Sequence, residues 1–208
     1  MLAVRRNLSR IDRVEHASTP GGETADTDEE DRALMTRIAA QDEAALRELM
    51  TRYGSVLMRY AGHILQSDQS QTEDVIQYAF MQVWQHAGNW QPKAKVKTWL
   101  YTITYRRCLN VLRGQKGLTR PLEEVVLVDE TVNMEHDALN RARREMIDEA
   151  MQSLPERQRA ALLLRYAEEL PQKEAADVLE ISEKALESLL SRGKAKLAQK
   201  LKQLKDDL

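Results

Sequence analysis

From about Asp28 onward, apolar residues recur at three- and four-residue intervals, the spacing of helices that turn one face to a core. Leu34, Ile38, Ala44, Leu46, Leu49, Val56, Leu57, Tyr60 and Leu65 carry the pattern, which breaks near Gln41-Asp42. Ser70-Gln71-Thr72-Glu73 has the form of a capping box and predicts a helix start. That helix would line up Val75, Ile76, Ala79, Phe80, Val83 and Trp84 along one face, with Gly88 as its stop. Gly88 to Lys97, with Trp90 and Pro92, reads as a loop. A further helix over about 96–113 is expected to bury Val96, Trp99, Leu100, Ile103, Leu109 and Leu112, and Gly114-Gln115-Lys116-Gly117 followed by Pro121 ends it.

The pattern lapses over 118–137 and then resumes with Leu139, Met146, Ile147, Ala150, Met151 and Leu154. Ser153-Leu154-Pro155-Glu156 predicts a second capping box, with proline at the first helical turn. Helices follow over about 156–168, 171–179 and 183–204. Residues 1–27 show no sustained period and contain Ser18-Thr19-Pro20-Gly21-Gly22. The expected fold class is therefore all-α: a flexible tail (1–27), a helical domain (28–117), a flexible acidic linker (118–137) and a second helical domain (138–208).

Composition agrees with that division. Hydrophobic residues make up 42% of the 208 and charged residues 31%, aromatics are only 5%, and Phe80 is the single phenylalanine. Such a balance favours helices over a many-stranded sandwich. Cys108 is the sole cysteine, which excludes an internal disulfide framework and a cysteine-based zinc site. No apolar run reaches the roughly 18 to 20 residues of a membrane span, and the basic start Met1-Leu2-Ala3-Val4-Arg5-Arg6 lacks the apolar segment of a secretory signal. The expectation is a cytoplasmic protein without membrane insertion.

A net charge of −2 argues at first against nucleic acid as a partner. Its distribution reverses that. Lys93, Lys95, Lys97, Arg106, Arg107, Arg113, Lys116 and Arg120 lie in one acid-free stretch, and Arg192, Lys194, Lys196, Lys200, Lys202 and Lys205 in another. Acids gather instead in 21–31 and 121–137.

Residues 171–192 have the pattern of a helix-turn-helix. Small residues, Ala175 and Ala176, stand where the two helices would touch; Ile181 anchors the turn and Ser182 caps the second helix. With Ala185, Leu186, Leu189 and Leu190 inward, Lys184, Glu187, Ser188, Ser191 and Arg192 share the outer face. Two residues depart from the pattern: Glu180 stands at a turn position where glycine is usual, and Gly193 lies inside the second helix. The same sequence also fits an ordinary αα-hairpin with a solvated face.

Glu73-Asp74-Val75-Ile76-Gln77-Tyr78-Ala79-Phe80-Met81-Gln82-Val83-Trp84, Lys97-Thr98-Trp99-Leu100-Tyr101-Thr102-Ile103 and Leu154-Pro155-Glu156-Arg157-Gln158-Arg159 follow in order, with the helix-turn-helix closing on Ser191-Arg192-Gly193-Lys194. Together they resemble the extracytoplasmic-function sigma factors of bacterial RNA polymerase over about residues 30–208. The resemblance implies region two in the first domain and region four in the second. It implies that Asp74, Gln77 and Phe80 lie in the helix that docks on core RNA polymerase. It implies minus-ten DNA and melting contacts at Asn89, Trp90, Lys93, Lys95, Lys97, Arg106 and Arg107, and minus-thirty-five contacts at Ser182, Lys184, Glu187, Ser188, Ser191, Arg192 and Lys194. Promoter DNA and an anti-sigma factor are the other implied partners. Arg106 stands where the family often has asparagine, and Asn110 where it often has aspartate, which makes this helix more basic.

The physical reading runs parallel, since aromatic faces and a cationic groove are what hold an opened strand, and residues 90–107 offer both. An enzyme is the main rival. His16, His63, His86 and His136 are scattered, Cys108 has no evident partner base, and no phosphate loop or dinucleotide fingerprint is present. Neither catalysis nor a cofactor or metal is expected. A repressor would account for the helix-turn-helix but not for the Asp74–Trp84 helix. A sigma-like decoy fused to a receiver domain would need a βαβ pattern.

Overall fold

The computed structural model describes residues 23–66, 69–92, 94–115 and 145–206. The tail before residue 23 and the expected linker lie outside them, and no strand occurs among the described residues. Helix α1 (Glu23–Ala39) starts five residues before the expected Asp28, and α2 spans Glu43–Leu65. Between them the chain turns where the pattern broke: Gln41 takes a positive φ of 63° and Asp42 caps α2, accepting from the amides of Ala44 (2.9 Å) and Ala45 (3.3 Å). Then come α3 (Gln69–His86), a 3₁₀ turn (Ala87–Asn89) and α4 (Val96–Gln115).

Neither capping box forms. Ser70 lies exposed inside α3, and it is Gln69 Nε2 that donates to Glu73 Oε1 (2.8 Å). Ser153 Oγ instead donates to the Ala150 carbonyl (2.7 Å), closing the helix whose described part is 145–152, here α5. Helix α6 (Glu156–Leu162) then starts behind Pro155 with no side-chain cap. Ser153 bonds the nearer carbonyl of its own helix, and Ser70 already lies within α3, past the position of a cap.

Helices α1 to α4 pack around Leu34, Ile38, Leu49, Leu57, Val75, Phe80 and Leu100, all buried. A polar pin joins α1 to α2 inside this group. Tyr53 donates its hydroxyl to the buried Asp31 carboxylate, Arg52 Nη1 approaches the same carboxylate at 2.7 Å, and Arg52 Nη2 reaches Glu30 at 3.0 Å. Burial lifts the Asp31 carboxyl above its ordinary range, with Tyr53 and Arg52 opposing the rise.

In the second half, α6 continues into a π turn (Leu163–Ala167), and α7 (Gln172–Leu179) and α8 (Glu183–Asp206) form the helix-turn-helix. The turn closes as a Schellman motif: Ile181 N donates to Ala176 O (3.1 Å) and Glu180 N to Asp177 O (3.2 Å). Ala175 and Ala176 are buried as expected, Ile181 is half-buried, and Ser182 Oγ accepts from Ala185 N at 3.2 Å. Gly193, which departs from a good helix sequence, has a packing reason. A Cβ there would stand 3.1 Å from Leu162 Cδ1 and 3.3 Å from its Cγ, so glycine lets α8 close on α6.

The two halves are packed together, and the seam corrects the reading of α4. Trp99, Ile103, Leu109 and Leu112 are only half-buried, while Tyr101, Thr104, Tyr105 and Cys108 are fully enclosed along with Leu100. One side of α4 lies on α2 and α3; another is covered by α7. Tyr101 donates to the carboxylate of Glu168, itself buried, and its ring meets Tyr60 edge-on at 5.1 Å. Lys97 Nζ donates to the Glu168 carbonyl (2.8 Å) and Thr98 Oγ1 to Glu174 Oε2 (2.7 Å). At the other end of the seam Gln66 Nε2 donates to the Gln152 carbonyl (2.7 Å). Nearby, burial pushes the His63 imidazole below its ordinary value; Asp148 opposes the shift, and Arg159 and Arg59 add to it. Burial likewise lowers Arg159 to about 10 and raises the Cys108 thiol to about 12.

Two outcomes follow from this packing. Gly54→Ala on α2, where a Cβ would meet nothing within 4 Å, should raise stability by about 0.5–1 kcal/mol. Gly193→Ala should lower it, because crowding Leu162 at about 1–3 kcal/mol outweighs the helix-propensity gain. Urea midpoints of both variants decide the matter, and a more stable Gly193→Ala would contradict the close approach of α6 and α8. The second concerns pH. The folded chain holds His63 neutral below the pH at which the unfolded chain protonates it, so stability is retained above about 6.5 and lost as pH falls below that value. His63→Gln should flatten this part of the urea-midpoint profile between pH 7.5 and 5.5; identical profiles would show that His63 takes no part.

Candidate nucleic-acid interface

The 3₁₀ turn after α3 and the start of α4 flank a shallow, open cleft of about 540 Å³ lined by Gln82, His86, Asn89, Trp90, Gln91, Ala94, Trp99, Ile103 and Arg106. Its walls are two indoles and a guanidinium, with amide side chains between them, groups that stack on a planar base and hydrogen-bond its edge. Trp90 is half-buried, and its indole N–H is buried with no partner among the described residues. Asn89 is exposed at the rim. Of the residues expected at the minus-ten contact, Asn89, Trp90 and Arg106 line this cleft. Sequence reasoning missed Trp99 and Ile103 as cleft residues, because an apolar stripe alone does not separate a core wall from a cleft wall.

The basic residues of the loop and of α4 are in place but not free. Lys95 Nζ lies 3.0 Å from Asp28 Oδ2 and 3.5 Å from Glu174 Oε1. Lys97 is held at the Glu168 carbonyl. Arg106 is paired with Glu180, its Nε 2.9 Å from Glu180 Oε1. The Arg107 guanidinium sits 4.6 Å above the Tyr78 ring. Lys93 falls outside the described residues.

On α3, Asp74 and Gln77 are exposed and Phe80 is buried at 3% exposure. Phe80 therefore supports the helix from within instead of offering a docking contact. Met81, 48% exposed and one turn on from Gln77, joins the outer face. Its position four residues beyond Gln77 was visible in the sequence, but an exposed methionine is hard to tell from a core one by spacing.

On α8, Lys184, Glu187, Ser188, Ser191 and Arg192 are all exposed, while Leu186 and Leu190 are buried and Leu189 half-buried. The expected outer row is thus presented to solvent along one helix. Within it, Glu187 Oε1 accepts from Gln172 Nε2 (2.8 Å), bracing α8 on α7, and Arg192 Nε donates to the Ser188 carbonyl (3.1 Å). Ser182 acts as the cap described above. Lys194 departs from the row: it is half-buried, with Nζ 4.8 Å from the centre of the Tyr166 ring.

Sequence reasoning missed the acids that meet these cations, Glu168, Glu174 and Glu180, and the aromatic face of α4 beneath them. Thr98, Tyr101, Tyr105 and Cys108 stand at three- and four-residue intervals and form a second stripe beside the apolar one. That stripe was the available signal for the seam. Among the described residues no group of three or more histidine, cysteine or acidic side chains is arranged to hold a metal, and no helix is long and apolar enough to cross a membrane.

Residues 49–117 match the family described as Sigma-70 region 2, and residues 144–197 that described as Sigma-70, region 4. The RNA polymerase sigma factor SigZ of Bacillus subtilis (strain 168) is 29% identical over 156 residues, 75% of this chain and 86% of that protein. The ECF RNA polymerase sigma factor SigM of Mycobacterium tuberculosis (strain H37Rv) is 28% identical over 172 residues, 82% of this chain and 84% of that protein. Among solved structures, CnrH in complex with the cytosolic domain of CnrY has a TM-score of 0.63 at 24% identity, covering 83% of this chain and 97% of that one. The sigma factor RpoE of Bartonella quintana, in complex with the anti-sigma factor NepR, has a TM-score of 0.60 at 18% identity, covering 75% and 96%. Two region matches in chain order, together with the curated relatives, identify the chain as a member of the extracytoplasmic-function sigma factors.

Proposed function

We propose that this chain binds core RNA polymerase and directs promoter recognition, strand opening and initiation, with the work divided between residues 28–117 and 138–208. The first unit would dock through the exposed face of α3, Asp74, Gln77 and Met81. It would take an unpaired base of the minus-ten element into the Trp90–Arg106 cleft, with Asn89 at the rim and Lys93, Lys95, Lys97 and Arg107 along the strand. The second would lay α8 in the major groove of the minus-thirty-five element. The observation that carries the reading is the union in one chain of an aromatic, cation-rimmed cleft with a separate exposed helix row. One suits a single strand and the other a duplex.

The reading includes no catalytic role and puts the protein in the cytoplasm, where the polymerase works. It also includes an anti-sigma factor as partner. Two solved relatives are each bound by a second protein, one of them so named. Run-off transcription with purified core polymerase over genomic fragments, followed by start-site mapping, tests the function as a whole. Defined start sites that depend on this chain are expected, and their absence would overturn the reading.

Two substitution series separate the contacts. Asp74→Ala with Gln77→Ala should weaken core binding while leaving the thermal midpoint close to wild type, since both side chains are exposed. A loss of stability on the scale of a core truncation, about 2–5 kcal/mol, would place them in the interior instead. On α8, Lys184→Ala or Ser188→Ala should cost about 1–3 kcal/mol at one promoter position and relax discrimination there. Arg192→Ala should mix base and phosphate behaviour, because its guanidinium already leans on the Ser188 carbonyl. Loss of a pure phosphate contact weakens all sequences alike and lowers the salt slope by about one unit. Binding measured against a panel of single-base promoter variants at several salt concentrations distinguishes these outcomes. Unaltered promoter choice in Lys184→Ala/Arg192→Ala would remove α8 as the reader.

A further inference from the structure

Nine residues line the cleft beside α4, and none of them is acidic. Gln82, Asn89 and Gln91 carry amides, which donate and accept alike and so suit the edge of any base. Arg106 is different. Its guanidinium keeps its charge and offers only donors, N–H groups set in a fixed planar fork. A base edge that meets this fork is therefore selected for acceptors, and for acceptors that stand next to one another.

The helix puts the fork where a base edge would lie. Trp99, Ile103 and Arg106 follow one another along α4 at steps of four and three, so they share one side of it. Trp99 and Ile103 are half-buried and give the cleft an apolar wall, while the Arg106 side chain, one turn on, is 60% exposed. A ring resting on that wall meets the guanidinium with its edge. The adjacent Arg107 shows the other use of the same group, lying face-on over the Tyr78 ring at 4.6 Å. Arg106 instead turns its Nε–H and Nη2–H together toward one acceptor oxygen, Glu180 Oε1.

Unpaired bases differ in what they offer such a fork. Guanine presents O6 and N7 side by side, and cytosine presents N3 and O2, so each has two adjacent acceptors on one edge. In adenine the N6 amino donor stands between N1 and N7; in thymine the N3–H stands between O2 and O4. We propose that Arg106 makes the cleft selective for an unpaired base with two adjacent acceptors, guanine or cytosine, against adenine and thymine. This rests on the reading of the cleft as the minus-ten base site and adds which bases that site accepts. Lysine would not substitute for Arg106 in this role, because an ammonium is a point charge without the fork.

The test uses the full chain assembled with core polymerase, on a promoter located by start-site mapping. Its minus-ten element is opened beforehand by abasic sites in one strand and then in the other, so that no base pair has to break and only the unpaired base changes. The Kd of the assembly is read for all four bases at each position of the intact strand. Wild type should show one position at which guanine or cytosine binds on the order of tenfold more tightly than adenine or thymine. Arg106→Lys should abolish that preference at that position, whereas a phosphate contact, which needs only the charge, would leave it as in wild type. Arg106→Gln should move the preference to adenine, whose N6 and N7 a glutamine side chain pairs bidentately. A wild-type preference for adenine or thymine, the lack of any preferred base, or a preference kept in Arg106→Lys would each overturn the proposal while leaving the sigma-factor reading in place. If the mapping finds no defined start site, that reading falls and takes the proposal with it.

Discussion

A carboxylate taken out of water must be given donors, and Glu168 imposes that requirement on the whole seam. It is 6% exposed, and an unpaired charge at that depth would be costly by several kcal/mol. Its neighbours answer the requirement from the other half of the chain: the Tyr101 hydroxyl donates to the carboxylate, and Arg59 lies 3.8 Å away. Burial and the nearby carboxylate together hold the Tyr101 phenol well above its ordinary range, so it remains a donor throughout the physiological range. The π turn makes this geometry possible. Glu168 N bonds back to Leu163 O at 2.9 Å and Leu170 N to Leu164 O at 2.9 Å, which ends the helix and delivers the acid to α4. Once Tyr101 and Glu168 meet, α7 lies on α4, and Glu174 and Glu180 fall opposite Lys95 and Arg106.

The two residues that spoil the helix-turn-helix pattern belong to two different constraints. Gly193 is a packing residue, since a methyl group there would meet Leu162 where α8 crosses α6. Glu180 is not needed for the turn, which glycine would make without strain; its side chain is used across the seam, at Arg106. The same turn thus serves the local fold through its backbone and the contact between halves through its side chain. That Arg106 departs from the residue usual in the family fits this arrangement, because a guanidinium suits either a phosphate or the Glu180 carboxylate.

Much of this was legible in the chain. The helical periods located every described helix to within a few residues, the break at Gln41-Asp42 and the cap at Ser182 formed as read, and the exposed row from Lys184 to Arg192 followed from its spacing. The capping boxes failed because a four-residue pattern does not say which orphan group lies nearest. Ser153 turned back to a carbonyl, and Ser70 was already within the helix. The seam was the larger omission. Tyr101 and Tyr105 sit beside an apolar stripe that already explained α4, and nothing local pairs them with Glu168, 67 residues beyond Tyr101. Contacts of that sequence separation have no periodic trace, so the sequence displays the cations and the acids but not their meeting.

One face of α4 is where the two halves meet, and the contact of Tyr101 with Glu168 holds them there. The distance between the halves measures this most directly. Spin labels can be placed through Ser55→Cys and Lys196→Cys, both exposed, while the native Cys108 is buried and its thiol, held near 12, reacts slowly. Pulsed dipolar spectroscopy should give one short, narrow distance distribution, replaced by a broader and longer one in Glu168→Ala. An unchanged distribution in Glu168→Ala, or a broad and long one already in the wild-type chain, would contradict this.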